Sequence, residues 1–194
     1  MIAGHFGLAA GVKAREPAVP LWALMLATQW LDVVFVPLFV AHVERIDVIG
    51  GGAPGYGNGI IHADYTHSLV GAVVLSLVFA LPAAWRWGRQ AATVLGAVVF
   101  SHWVLDLLVH RHDMPLLPGA PAGTSMFGFG LWRWPLVTVA AELALVLLGS
   151  VAYLRAAVAT ARAHDPTRIR RARIAAGAVL GAGVLTLALS VAGL

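Results

Sequence analysis

The chain has 194 residues, of which 60% are hydrophobic and 11% are charged. Soluble proteins carry charge on roughly a quarter of their residues, so this composition is typical of an integral membrane protein. The formal net charge of +4 comes without a nucleic-acid recognition motif, so we attribute it to membrane orientation and expect no nucleic-acid partner. The sequence contains no cysteine, which excludes disulfides, thiolate metal ligands and cysteine nucleophiles.

Five stretches are long and apolar enough to cross a bilayer, which takes about 20 residues of helix. They run from Val19 to His42, His67 to Trp85, Gln90 to His110, Trp134 to Arg155 and Ala172 to Leu194. The apolar segment from Met1 to Val12 is too short to cross, and it predicts a short helix that dips into the bundle. We therefore expect a single all-α domain over residues 1–194: a polytopic membrane helix bundle of about five transmembrane helices plus a short N-terminal helix.

Lysine and arginine are distributed unevenly between the two sides that these spans define. Ten lie on one side, namely Lys13, Arg15, Arg86, Arg89, Arg155, Arg162, Arg168, Arg170, Arg171 and Arg173. Three lie on the other, namely Arg45, Arg111 and Arg133. The positive-inside rule places the ten in the cytoplasm, which predicts a cytoplasmic N-terminus and an external C-terminus. The basic stretch from Arg162 to Arg173 is expected to contact lipid headgroups.

Ionisable residues inside the predicted spans indicate a functional site. His102 and Asp106 stand four residues apart, on one helix face, in an otherwise apolar segment. Such groups are costly in hydrocarbon unless they have a partner. His62 and His67, in His-Ala-Asp-Tyr-Thr-His-Ser, lie at the mouth of the preceding span. Nitrogen and carboxylate ligands without thiolate suit zinc first, with manganese and ferrous iron as alternatives.

Two further carboxylates lie deep in predicted spans, Asp32 in the first and Glu142 in the fourth. Neither has a basic residue within a helical turn, so each must be protonated, paired across helices or bound to a cation. His5 reaches toward the depth of Asp32 if the N-terminal segment re-enters from the cytoplasm. Asp64, two residues after His62, is a candidate catalytic base or a carboxylate that orients a histidine. The roles of Glu142, His42 and His110 are open.

The order of these residues along the chain resembles the order of motifs in a known family. The segments that match those motifs lie in about the first 115 residues: Gly4-His5, Asp32, the segment from His62 to Ser68, and His102 with Asp106. The chain resembles the LexA-regulated, YdjM-type metal-dependent hydrolases of the bacterial inner membrane. This resemblance implies the same location and adds Asp32 and His5 to the site. Similar spacings in zinc-dependent phospholipases C suggest a phosphoester or lipid substrate.

The leading hypothesis is a membrane-embedded metal-dependent hydrolase that cleaves an ester or phosphoester at the outer face. Its predicted metal ligands are His5, Asp32, His62, His67, His102 and Asp106, and its predicted catalytic residues are Asp64 and Asp32. The alternative is a small transporter or permease whose same histidine and aspartate groups bind metal or relay protons. A third possibility is a non-catalytic protein whose polar residues hold helices together. A hydrolase needs a polar cluster near one face, whereas a conductor needs a polar path to the other side.

Overall fold

The computed structural model describes residues 1–48 and 59–192, which form six α-helices and two small antiparallel sheets. The helices are α1 (Ile2–Arg15), α2 (Leu21–Thr28), α3 (Trp30–Val40), α4 (Leu69–Val109), α5 (Pro135–His164) and α6 (Ile169–Ala192). In the sheets, β1 (Arg45–Val48) pairs with β2 (Gly59–His62), and β3 (Met114–Pro115) pairs with β4 (Met126–Phe127). The predicted all-α class is confirmed, and the short strands are confined to connections between helices.

The helices that form the outside of the bundle are apolar. Within the described residues, α4, α5 and α6 are each long and apolar enough to cross a membrane, and α2 with α3 form a further candidate that is bent by 49°. Large side chains point outward, including Leu81 at 71%, Leu136 at 86% and Leu148 at 70% exposure. Such surfaces are unfavourable in water and suit hydrocarbon. The count of five transmembrane helices and the orientation of the termini stay predictions.

Helix α4 folds back on itself at Gly88. The backbone of Gly88 has φ 85° and ψ 173°, which glycine adopts without a Cβ clash. A Cβ built on Gly96 would lie 3.3 Å from the Cβ of Ala80, whereas a straight helix would separate these residues by about 24 Å. Helix α4 is therefore a hairpin of two arms, residues 69–87 and 89–109. These arms correspond to the second and third apolar stretches of the sequence.

The short N-terminal helix α1 lies inside the bundle. It packs most extensively against α5 and also contacts α2, α4 and α6. Gly7 of α1 and Gly149 of α5 bring the two backbones into contact, so that a Cβ on either glycine would overlap the other helix. Small residues permit this close approach between helices in a membrane. The buried residues of α1 include His5, which this packing carries into the interior.

Glu142 of α5 ties the two helices together at the start of α1. Its Oε2 accepts a hydrogen bond from the backbone N–H of Gly4 at 3.0 Å. The first N–H groups of a helix have no partner within that helix, and a carboxylate there also complements the helix dipole. Glu142, whose role the sequence leaves open, therefore helps to hold His5 in place.

Candidate metal centre

A break in the first predicted span orients His102. Helices α2 and α3 meet at Gln29, whose φ of −111° and ψ of 7° interrupt the helix. The carbonyl of Thr28 at this break lies 2.7 Å from His102 Nδ1. Because a carbonyl only accepts, His102 donates from Nδ1, and in the neutral ring the Nε2 that faces the centre carries no proton. The irregular backbone is compatible with a membrane bundle because its polar groups find partners there.

A buried chain of hydrogen bonds orients His67, which directly precedes the N-cap residue of α4. Ser68 caps the helix by accepting from Gly71 N at 3.0 Å. His67 Nδ1 lies 2.8 Å from the hydroxyl of Thr66, and that hydroxyl lies 2.9 Å from Glu44 Oε2. The hydroxyl has one proton and a carboxylate oxygen accepts, so Thr66 donates to Glu44 and His67 Nδ1 donates to Thr66. In the neutral ring, His67 therefore presents an Nε2 without a proton, like His102.

Glu44 is the anchor of this chain, and sequence reasoning missed it. Its side chain is 1% exposed and also accepts from the backbone N–H groups of Tyr65 at 2.8 Å and Thr66 at 2.9 Å. A buried carboxylate is costly unless hydrogen bonds compensate it, and here they do. In the sequence, Glu44 is a lone acid beside Arg45 just past a predicted span, and this pattern carries no signal of burial.

Asp32, His67 and His102 place three ligand atoms at the spacing that a divalent metal requires, and Asp106 lies beside both histidines. His67 Nε2 and His102 Nε2 are 3.3 Å apart. Asp32 Oδ1 lies 3.4 Å from the first nitrogen and 3.6 Å from the second. Asp106 Oδ2 lies 3.1 Å from His102 Nε2 and 3.7 Å from His67 Nε2. Two ligands of a tetrahedral zinc ion, each bonded at about 2.0–2.1 Å, are about 3.3 Å apart, so these residues fit a metal ion.

His5 joins a second, overlapping group with His102 and Asp106. His5 Nε2 lies 3.2 Å from Asp106 Oδ1, and the His5 ring stacks on that of His102. The Nδ1 of His5 is buried and has no hydrogen-bond partner within the described part of the chain. The amino group of Met1 also lies 3.2 Å from Asp106 Oδ1. Asp106 therefore connects the two groups: its Oδ1 lies beside His5, and its Oδ2 lies beside His102 and His67.

His110 is a fourth histidine that faces the centre. Its Nδ1 lies 3.0 Å from Asp113 Oδ1, while its Nε2 lies 3.7 Å from Asp106 Oδ2. A carboxylate on one ring nitrogen with the other nitrogen directed at the site is the usual arrangement of a metal-binding histidine. The ring also packs on Trp132, with centroids 4.4 Å apart. The spacing of His102, Asp106 and His110 on one helix face was the available signal for this role.

Two predicted site residues are not brought into the centre. His62 lies on β2, where its Nε2 is 3.0 Å from Asp47 Oδ2 of the paired strand β1, so the cross-strand contact holds its ring elsewhere. Asp64 lies on the turn before α4, and its carbonyl accepts from Gly119. Neither residue belongs to a candidate metal group of the described residues. His42, at the end of α3, is exposed with φ 58°.

A cavity of about 500 Å³ opens over the centre. Asp32, His67, Asp106 and His110 contribute its polar surface, and apolar walls come from Val33, Phe35, Val36, Ile46, Ile61 and Trp132. The side chain of Asp32 is 36% exposed, compared with 4% for Asp106. A ligand in the cavity can therefore reach Asp32 most directly. A polar cluster beside apolar walls suits an amphiphilic ligand.

Comparisons of this chain with protein families, with curated proteins and with solved structures find no match. The functional assignment therefore depends on the geometry of the site. That geometry brings together five of the six predicted ligands, namely His5, Asp32, His67, His102 and Asp106.

Proposed function

We propose that this protein is a membrane-embedded metal-dependent hydrolase that cleaves an ester or phosphoester bond of a lipid-like substrate. The observation that supports this most strongly is the pair of Nε2 atoms of His67 and His102, 3.3 Å apart, beside two carboxylates and next to an apolar-walled cavity. In two neutral rings that both donate from Nδ1, these nitrogens direct lone pairs at each other, an arrangement that a cation lying against both stabilises. A divalent metal held there, zinc by ligand type, supplies an activated water and polarises the ester oxygen.

The side chains of the centre divide the remaining work. His67, His102 and Asp106 hold the metal, with His5 and His110 flanking Asp106. Asp32, the more exposed carboxylate, is placed to accept the proton of the attacking water and to return it to the leaving oxygen as the bond to that oxygen breaks. Asp64 lies outside both groups and has no part in this proposal.

The cavity walls favour a substrate with an apolar tail. Val33 and Val36 of α3 line the cavity and are also 43% and 57% exposed, so this wall faces both the cavity and the surroundings of the bundle. An acyl or prenyl chain can thus pass from the bilayer to the centre without leaving an apolar environment. The scissile ester of such a lipid would then lie beside Asp32, at the outer face of the bacterial inner membrane.

Helix α1, on the far side of the centre, favours a one-sided site over a conducting path. Beyond His5, the buried residues of α1 are Gly7, Ala9 and Ala10. These provide no side chain that can relay a proton or bind an ion. A transporter would need polar or charged side chains along its path. Their absence from the buried residues of α1 beyond His5 therefore favours the hydrolase over the transporter alternative.

The test compares detergent-purified wild type with His102→Ala/Asp106→Ala. The matched control is His42→Ala/Asp47→Ala, which removes an exposed histidine and an exposed aspartate outside the centre. Metal content is measured by plasma mass spectrometry, and hydrolysis is followed with p-nitrophenyl palmitate and bis(p-nitrophenyl) phosphate. We expect metal and metal-dependent hydrolysis in the wild type and the control, and neither in the centre variant.

Two results would contradict the proposal. Metal retained by the centre variant would place the ion elsewhere. A metal-loaded wild type that hydrolyses neither probe, but carries the ion across the membrane of proteoliposomes, would establish the transporter alternative instead.

A further inference from the structure

A second cavity, of about 510 Å³, lies between α1, α5 and α6. Lys13 of α1 lines it and stands eight residues after His5, which places the cavity about 12 Å along the helix axis from the metal centre. Alanine side chains of α5 and α6 form much of its wall. The cavity is therefore separate from the candidate metal centre, and part of its wall is apolar.

Basic side chains line the same cavity. Arg168 and Arg171 come from the start of α6 and its preceding turn. Lys13 is held in position, since its Nζ donates to the carbonyls of Pro17 and Val19 at 2.7 Å each. Arg171 makes no hydrogen bond or ion pair with any described residue, so its donors are available to a ligand.

Asp165 is the one acidic side chain among the cavity residues that the structure describes, and its charge is already compensated. It accepts from the Thr167 hydroxyl and from Arg168 Nε, the latter at 2.8 Å. These hydrogen bonds, that of the Thr167 hydroxyl above all, lower the pKa of the Asp165 carboxyl. Three basic side chains, Lys13, Arg168 and Arg171, line the cavity with this single carboxylate. The lining therefore has a net positive charge.

Tyr153 provides a polar group at the cavity wall that lacks a partner. Its side chain is 8% exposed and lines the cavity. Its hydroxyl makes no hydrogen bond to any residue in the described ranges. The hydroxyl is not among the buried atoms that lack a partner, so it is accessible from the cavity and can form a hydrogen bond with an oxygen of a ligand.

We propose that this cavity is a binding site for an anionic phospholipid. The phosphate lies against Arg168 and Arg171, and the glycerol and upper acyl chains lie against the alanine walls. A free anion has no apolar part and would leave the alanine walls in contact with water. A zwitterionic headgroup has no net charge and would not neutralise the net positive charge of the cavity. Basic pockets between helices near the membrane surface are typical sites for anionic headgroups.

The experiment is native mass spectrometry of the full chain in detergent, titrated with phosphatidylglycerol or phosphatidylcholine. Arg168→Gln/Arg171→Gln removes the cavity charges. The control Arg170→Gln/Arg173→Gln removes the same charge from the same helix at residues that do not line the cavity. We expect the cavity variant to bind phosphatidylglycerol about 25-fold more weakly, about fivefold for each arginine, and the control to bind as the wild type does. Tyr153→Phe should weaken binding by about fivefold.

Three outcomes would overturn the proposal. Equal weakening in both arginine variants would mean diffuse attraction to a charged surface. If the wild type bound phosphatidylcholine as tightly as phosphatidylglycerol, the cavity would not recognise the headgroup charge. Displacement of phosphatidylglycerol by equimolar inorganic phosphate would identify a site for the free anion. Metal content serves as an independent readout, because the cavity variant should retain the metal of the wild type.

Discussion

The imidazole rings of His5 and His102 lie face to face, with centroids 3.9 Å apart and planes 12° apart. One ring belongs to α1 and the other to the second arm of α4, and each directs its Nε2 at Asp106, at 3.2 Å and 3.1 Å. Close stacking disfavours two imidazolium ions, which would repel each other, so at least one ring is neutral, and neutral imidazole is the form that binds metal. The stack therefore couples the position of α1 to the metal centre.

The substitution His5→Phe separates the two roles of this ring. Phenylalanine keeps the stacking surface and removes both nitrogens, so we expect a folded protein whose metal affinity is about tenfold to a hundredfold weaker. Thermal unfolding and metal content by plasma mass spectrometry measure these effects, with the exposed His42→Phe as control. Unchanged metal affinity in His5→Phe would show that His5 only packs against His102.

The hydrogen-bond chain from Glu44 through Thr66 to His67 predicts a positioning role for the hydroxyl. Thr66→Val keeps the shape of the side chain and removes the hydroxyl, so we expect metal affinity to fall about tenfold to a hundredfold. Thr66→Ser should restore most of the affinity, since serine keeps the hydroxyl. Competition with a chromogenic chelator measures this. If the valine and serine variants behave alike, the hydroxyl does not orient His67. Asp47→Asn, at an exposed carboxylate of β1, is the control.

The contact between α1 and α5 predicts that Gly149 tolerates no side chain. Gly149→Ala places a Cβ against the backbone of Gly7, and the helices must separate, at a cost of about 1–3 kcal/mol. The control Gly177→Ala lies on α6 with open space around it, and it should be neutral or stabilising by up to about 1 kcal/mol. Thermal unfolding in detergent measures both. An unfolding temperature for Gly149→Ala at or above that of the control would contradict the packing.

Metal removal should destabilise the protein only when the centre is intact. Metal at about one hundred times its dissociation constant stabilises a folded protein by about 2.7 kcal/mol. Dialysis against a chelator should therefore lower the unfolding temperature of the wild type, and returning zinc should restore it. The variant His102→Ala/Asp106→Ala should have the same unfolding temperature after dialysis against the chelator as after zinc is returned. A chelator effect of equal size in that variant would mean that the stabilising ion binds elsewhere.

Much of the candidate centre follows from local sequence. His102 and Asp106 share a helix face because four residues make about one turn, and His67 precedes an N-cap serine. The depth of Asp32 in an apolar stretch follows from the same counting. His110 continues the spacing of His102 and Asp106 on the same helix face. Apolar length alone also indicates the helical fold class.

Other features depend on contacts that local sequence does not encode. Glu44 is buried because the turn around Tyr65 and Thr66 folds onto it, and His62 is excluded because strand pairing brings it to Asp47. These outcomes are decided by which segments meet in space.

The amino-acid sequence by itself therefore determined the apolar helices and the residue types able to bind a metal. Composition and helical periodicity are local properties that need no knowledge of neighbours. Tertiary structure alone decided that α1 packs against α5, that Glu44 is buried, and which histidine nitrogen faces the centre. Each of these depends on packing and hydrogen bonds between residues far apart in the chain, such as Thr28 with His102.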